Sequence, residues 1–304
     1  MTAIPGLGVF WSFLSALLWS TTFIGSRYLL DTRLTDPITL SVLRFAIGGA
    51  ALLLVGLWRY RWSLFAISLA DWGRLALLGL FGIVGMSVFL FYGLTSTTAT
   101  HSVIIMQLSP IMIILLGLFI GECVSLQQVA GIVVALVGCA LVVGVLTLHG
   151  IQITGGNLAG DLLVLASGFC WAVNAILGKK TSERLGGLRT TVWSMILGAV
   201  ELLLLRLVLP TQIWPHGTGS WALILYLAIF PTAIAFFAWF ESMRLIPLSL
   251  LNVMQYLSPP FTILLAWTLL GERIYAEAWF GIPLTLLGVM LVSWEHAPRR
   301  RIAR

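Results

Sequence analysis

Charge is what this 304-residue chain has least of: Asp, Glu, Lys and Arg together make up 9% of it, against 60% hydrophobic residues. A soluble protein of this length cannot hide so much apolar surface, because burial is limited by the ratio of surface to volume. Cysteine is equally sparse. Cys123, Cys139 and Cys170 are far apart and odd in number, which excludes a disulfide framework and a CxxC metal site and leaves them as small core residues. Clustered chemistry is missing too. There is no GxxxxGK[ST] loop, no HExxH, no GxSG and no pair of carboxylates at catalytic spacing, so neither an intramembrane enzyme nor an ATP-driven pump is expected. No cofactor and no metal are expected. The net charge of +6 comes from residues at segment ends rather than from a basic, aromatic-laced face, so nucleic acid is not an expected partner. The first apolar segment has no basic stretch before it and many more follow, so no cleaved leader is expected.

What the chain does have is apolar segments. Crossing a bilayer takes roughly 20 mostly apolar residues in a helix. Stretches of that kind run over 7–27, 38–58, 73–93, 99–119, 126–146, 160–180, 190–209, 221–241, 247–270 and 276–294. The pattern predicts an all-α integral membrane protein with ten transmembrane helices, embedded in a lipid bilayer. Lys and Arg orient it. With the N-terminus in the cytoplasm, twelve of the 17 basic residues fall on that side, Lys179, Lys180, Arg184 and the tail Arg299, Arg300, Arg301 and Arg304 among them. Only Arg27, Arg33, Arg206 and Arg273 fall on the other, and Arg44 sits within a segment. The imbalance predicts both termini in the cytoplasm, at the inner membrane of a bacterium.

An internal repeat is legible. Gln107-Leu108-Ser109-Pro110 parallels Tyr256-Leu257-Ser258-Pro259, and each is followed by an apolar run and a Gly-Glu pair, Gly121-Glu122 and Gly271-Glu272. Beyond these, Gly131 and Gly138 match Gly281 and Gly288, and upstream Ser15 and Trp19 match Ser167 and Trp171. The shared offset of about 150 residues, half the chain, is the mark of duplication. The halves are 1–149 and 150–304, with a basic cytoplasmic tail on the second. Five helices per half is an odd number, so the second half enters the membrane from the opposite side. Inverted repeats of this kind recur in secondary transporters, with the substrate site near the midplane between the halves. A duplicated channel or lipid scrambler is the rival reading.

Asp36-Pro37 through Leu43-Arg44-Phe45, the two Leu-Ser-Pro segments and the two Gly-Glu connections resemble the EamA-type drug/metabolite transporters, once per half. Within that group the Trp-bearing first and sixth helices are most similar to those of YddG-type aromatic amino acid exporters. The resemblance implies helices 1–4 and 6–9 around a central cavity, helices 5 and 10 at its periphery, and export of amino acids with broad specificity. The match is uneven. Arg273 follows the second Gly-Glu but Cys123 the first, and the seventh segment has no counterpart of Arg44.

Helical spacing picks out cavity candidates without the family. Ser15, Trp19, Thr22 and Ser26 share one face of the first helix, and Ser167, Trp171, Asn174 and Gly178 share the matching face of the sixth. Ser249, Asn252, Tyr256 and Pro259, with Gln255 beside them, form a face of the ninth, and Thr100, Val103, Gln107 and Pro110 one of the fourth. Polar groups facing lipid are costly, so four such stripes point either at one pocket or at helix–helix packing. Gln107, Asn174, Asn252 and Gln255 need several hydrogen-bond partners each. Trp19 and Trp171 offer flat walls for an apolar or cationic solute. Arg44 would attract a substrate carboxylate. Pro110 and Pro259 each free a carbonyl one turn earlier, at Met106 and Gln255, as a hinge or as a contact for an ammonium group. Glu201, in mid-segment, is the candidate for a coupling proton, with His101 and Glu241 as interfacial alternatives; a structural pairing of Glu201 with Arg44 or Arg206 is the other reading. The expected partner is therefore a small-molecule substrate, an amino acid, with the oligomeric state left open and a monomer sufficient.

Overall fold

A computed structural model of the chain describes residues 5–96, 102, 105–118, 125–142, 146–147, 150–151, 158–209, 213–270 and 276–295. These residues form helices and short connections, apart from one ladder in which Leu146–Thr147 pairs with Gly150–Ile151. The helices are α1 (Pro5–Asp31), α2 (Pro37–Tyr60), α3 (Leu69–Ser96), α4 (Ser109–Leu118), α5 (Leu126–Val142), α6 (Leu158–Leu185), α7 (Gly187–Val208), α8 (Thr218–Leu245), α9 (Leu248–Leu270) and α10 (Ala278–Glu295). Six of them, α1, α2, α3, α6, α7 and α8, are long and apolar enough to cross a membrane. Both Gly-Glu connections, Cys123, His101, Thr100, Val103 and the basic tail lie outside the described residues.

Local chemistry explains where helices begin. Asp36 caps α2, with one carboxylate oxygen accepting the N–H groups of Ile38 and Thr39, and Pro37 supplies the preset φ of a first helical turn. Ser68 caps α3 by accepting from the N–H of Asp71. Gly186, at φ 85°, provides the left-handed bend between α6 and α7 that a side chain would resist.

Two helices are interrupted in matching places. α3 carries a π turn at Leu80–Gly85 and α8 one at Ile229–Ile234, 149 residues later. In α8 the cause is Pro231, which has no N–H to give the carbonyl of Leu227. The hydroxyl of Thr232 takes that carbonyl instead, at 2.7 Å. α9, expected over 247–270 with Pro259 inside it, is divided just before that proline. It runs as Leu248–Met254, a 3-10 turn Gln255–Leu257, and Ser258–Leu270. Pro259 and Pro260 cannot continue the hydrogen-bond ladder of the first piece, and both fit the first turn of the last.

Packing follows a definite scheme. α1 lies on α8 and the second half of α3 on α6; α2 lies on α7 and α5 on α10; α4 contacts α6 and α9 contacts α1. Replacing each helix by the one five places along maps this set onto itself. Glycines allow the closest approaches. A Cβ on Gly138 would meet Thr285 and, at 2.9 Å, the carbonyl of Gly281, while one on Gly288 would meet Ala135 and, at 2.5 Å, the carbonyl of Gly131. The α5–α10 seam is thus a reciprocal small-residue contact of the kind membrane helices use.

One end of the bundle is cross-tied. Asp71 of α3 takes both Arg74 at 2.7 Å and Arg184 of α6 at 3.1 Å. Lys179 donates to the carbonyls of Met243 and Ile246 at the end of α8 and pairs with Glu183 at 3.1 Å. The Ser242 hydroxyl donates to the carbonyl of Gly8 at 2.8 Å, joining α8 to α1. Glu241 is held by Arg244 and by the N–H of Gly187.

Candidate functional site

Between these helices lies a cavity of about 780 Å³ of empty space, mouth included. Six of the residues singled out from the sequence line it: Trp19 and Thr22 of α1, Arg44 of α2, Gln107 before α4, Trp171 of α6 and Gln255 of α9. They come from five segments spread over the whole chain.

Its inner wall is aromatic. Trp19 meets Trp171 edge to face at 5.2 Å between ring centroids, and both meet Phe236 of α8 at 5.6 and 5.8 Å. Trp239, one turn further along α8, closes the cluster from below at 5.3 and 5.2 Å. Such edge-on geometry is the favoured one for aromatic quadrupoles. The indole N–H of Trp171 donates to the side-chain oxygen of Gln255 at 3.1 Å, so one ring is fixed and the amide's orientation with it.

The opposite wall holds one cation. Arg44 is 4% exposed and its partners are neutral. Nε and Nη2 donate to the Thr232 hydroxyl oxygen at 3.1 and 3.0 Å, and Nη1 reaches Ser26 Oγ at 3.4 Å. The rings of Phe45 and Phe91 lie about 5.9 and 5.8 Å from the guanidinium carbon, within cation–π range. Thr232 can accept twice because its own proton goes to Leu227. The proline that breaks α8 therefore sets the arginine in place. Among the described residues no carboxylate pairs with Arg44, Glu201 included.

Asn174, Asn252 and Tyr256 do not line the cavity. Asn174, on α6, is buried against the π turn of α3, where a Cβ on Gly82 would overlap its side-chain oxygen. Asn252 is fully buried and receives the amide of Gln255 at 3.5 Å. Tyr256 gives its hydroxyl to the carbonyl of Gln107 at 3.2 Å, and its own carbonyl accepts the Cys139 thiol at 3.3 Å. The helical-face argument placed these residues by angle alone. α9 changes its twist at the 3-10 turn, which rotates Gln255 toward the cavity and Tyr256 away from it.

The prolines free the expected carbonyls, and each takes one hydrogen bond from elsewhere. That of Met106 takes the Ser109 hydroxyl at 2.7 Å, and that of Gln255 takes the N–H of Ser258. Glu201 lies apart from the cavity, with one carboxylate oxygen buried beside Gly79 and without a hydrogen-bond partner. Glu241 is committed to its ties at the closed end. No cluster of three His, Cys, Asp or Glu capable of holding a metal occurs among the described residues, and Cys139 and Cys170 are free and buried.

Phe236, Trp239, Phe45, Phe91 and Thr232 were not singled out in the sequence. Pro231, the in-helix proline beside Thr232, was the signal that could have drawn attention there.

A multi-pass helical membrane protein with a cavity between its helices is what this arrangement defines. The chain belongs to the EamA-like transporter family, whose profile matches it twice, over residues 6–144 and 158–294. It is 28% identical to an uncharacterized transporter of Archaeoglobus fulgidus, over 92% of this chain and 95% of that one. It is also 28% identical to a probable terminal-alkyne amino-acid exporter of Streptantibioticus cattleyicolor, over 95% and 94%. The aromatic amino acid exporter YddG of Ancylobacter novellus matches at 28% over 83% and 85%. A crystal structure at 24% identity superposes with a TM-score of 0.80 over 95% of this chain and 96% of its own, a likeness of fold. The family and these relatives are transporters rather than enzymes.

Proposed function

We propose that the protein is a secondary transporter that exports neutral amino acids, aromatic ones among them, across a bacterial inner membrane by alternating access. The observation that carries the reading is the pairing of an aromatic wall, Trp19 with Trp171 and Phe236, with one buried arginine that has no carboxylate partner among the described residues. An apolar side chain stacks on the first and a carboxylate answers the second. Two relatives named as amino-acid exporters support the same substrate class.

The framework is ten crossings in two inverted halves, 1–149 and 150–304, with both termini in the cytoplasm. Support comes from the self-mapping contact scheme, the reciprocal α5–α10 glycines and the π turns 149 residues apart. With that orientation the cross-tied end around Asp71, Lys179 and Ser242 faces the cytoplasm, so the cavity here is shut on the cytoplasmic side. Opening it breaks the Ser242–Gly8 and Arg184–Asp71 contacts. Pro110 and Pro259 sit where each half bends. Glu201 is the coupling site for a proton; one of its carboxylate oxygens is buried without a hydrogen-bond partner among the described residues, and an ionisable side chain inside a membrane segment is costly unless it serves such a role.

Flux of labelled Phe, Trp, Met and Thr in proteoliposomes, with and without a pH gradient, tests the reading. Saturable counterflow is expected. Absence of flux for all four sinks the amino-acid assignment.

A further inference from the structure

The cavity treats the two charges of an amino acid unequally. Arg44 has five N–H donors; two go to Thr232 and one to Ser26. One N–H remains on each terminal nitrogen, the fork that a carboxylate takes end-on. For an ammonium group the wall offers no carboxylate among the described residues. The acceptors a broken helix would expose each already take one hydrogen bond and carry no full charge: the carbonyl of Met106 from Ser109, the backbone carbonyl of Gln255 from Ser258 and its side-chain oxygen from Trp171. What remains are neutral amide and hydroxyl oxygens, which hold an α-hydroxyl as well as an α-ammonium. A desolvated ammonium with no counter-charge is costly, and its absence removes that cost.

We infer that the cavity selects apolar and aromatic monocarboxylates as a class, 2-hydroxy acids alongside 2-amino acids, with the α-ammonium dispensable. This rests on the reading of the cavity as the substrate site, and it adds a carboxylate that is required and an amine that is not.

The test is direct binding to the purified full-length protein at neutral pH, using tritiated L-phenyllactate and L-phenylalanine, with L-phenylalaninol as the analogue that keeps the amine and lacks the carboxylate. Phenyllactate is expected to bind within about tenfold of phenylalanine, and phenylalaninol at least about a hundredfold more weakly than either, one factor of ten per 1.4 kcal/mol of lost contact. Folded R44Q, judged by its elution as a single species, is expected to lose both acids.

Phenylalanine binding without phenyllactate overturns the inference and leaves the amino-acid reading standing. Phenyllactate binding without phenylalanine overturns both the inference, which holds the two acids together, and the amino-acid reading. Binding of neither overturns both. Phenylalaninol binding as tightly as phenyllactate, or undiminished binding of phenyllactate to folded R44Q, overturns the inference.

Discussion

The hydroxyl of Tyr256 donates to the backbone carbonyl of Gln107 at 3.2 Å, and each of the two residues stands immediately before a Leu-Ser-Pro. The bond joins the break before α4 to the break within α9, at the depth of the cavity. Gln107 also gives its side-chain amide to Cys139 Sγ at 3.6 Å, and Cys139 in turn donates to the carbonyl of Tyr256. One closed polar ring thereby connects both breaks to α5.

Tyr256→Phe leaves the buried Gln107 carbonyl without that donor. A loss of about 1–3 kcal/mol is expected, read as a lower unfolding temperature in detergent. Tyr256→Ala and Asn252→Ala act on side chains that are fully buried, so both are expected to lower stability before transport. Trp19→Ala and Trp171→Ala, on the cavity wall, are expected to weaken substrate binding at least about tenfold, or 1.4 kcal/mol, with a smaller loss of stability. Wild-type affinity in both Trp variants would remove the aromatic wall from the site.

Thr232 is a positioning residue for Arg44. Thr232→Val keeps the shape but removes both the acceptor for the guanidinium and the donor to the Leu227 carbonyl. A KM increase of roughly tenfold for a carboxylate substrate is expected, and Thr232→Ser is expected to restore it. A purely structural role would lower the unfolding temperature without a KM change that Ser reverses.

The α5–α10 seam depends on hydrogen atoms where other residues have side chains. Gly288→Val forces the new Cβ into the backbone of Ala135 and Gly131, and a cost of about 1–3 kcal/mol is expected from overpacking. Gly73→Ala, where a Cβ meets nothing within 4 Å, is the control. It is expected to be neutral or stabilising by up to about 1 kcal/mol, as alanine is the better helix former. Equal unfolding temperatures for G288V and wild type would rule the seam out as a close packing contact.

Glu201→Gln keeps the size of the side chain and abolishes its titration. If Glu201 carries the coupling proton, the variant transports by counterflow but no longer responds to an imposed pH gradient. An unchanged response in proteoliposomes assigns the carboxyl to packing against Gly79 alone.

Much of this protein is written in its pattern. Apolar runs of some 20 residues have few solutions in a bilayer, because every backbone polar group must be satisfied within the segment. Family membership was legible through Leu-Ser-Pro and Arg44-Phe45, since the type and order of residues carry that likeness before any contact is known. Trp19 and Trp171 were legible because they occupy matching positions on two well-formed helices, where spacing translates into direction.

Direction failed where a helix changed its winding. Tyr256 and Asn252 share a face with Ser249 on an ideal helix, yet the 3-10 turn at Gln255–Leu257 turns Gln255 to the cavity and Tyr256 into the core. Arg44 shows the same division. Its residue type and depth in α2 announce a charge inside a membrane. What it bonds to was decided by α8, through a missing N–H at Pro231 and a hydroxyl at Thr232, 188 residues along the chain. Periodicity records how a helix meets its surroundings on average, so the sequence alone determined a membrane-spanning helical protein with a polar stripe on each of four helices. Which side chains enter the cavity depends on local unwinding and on partners from distant helices, and only the tertiary structure decided that.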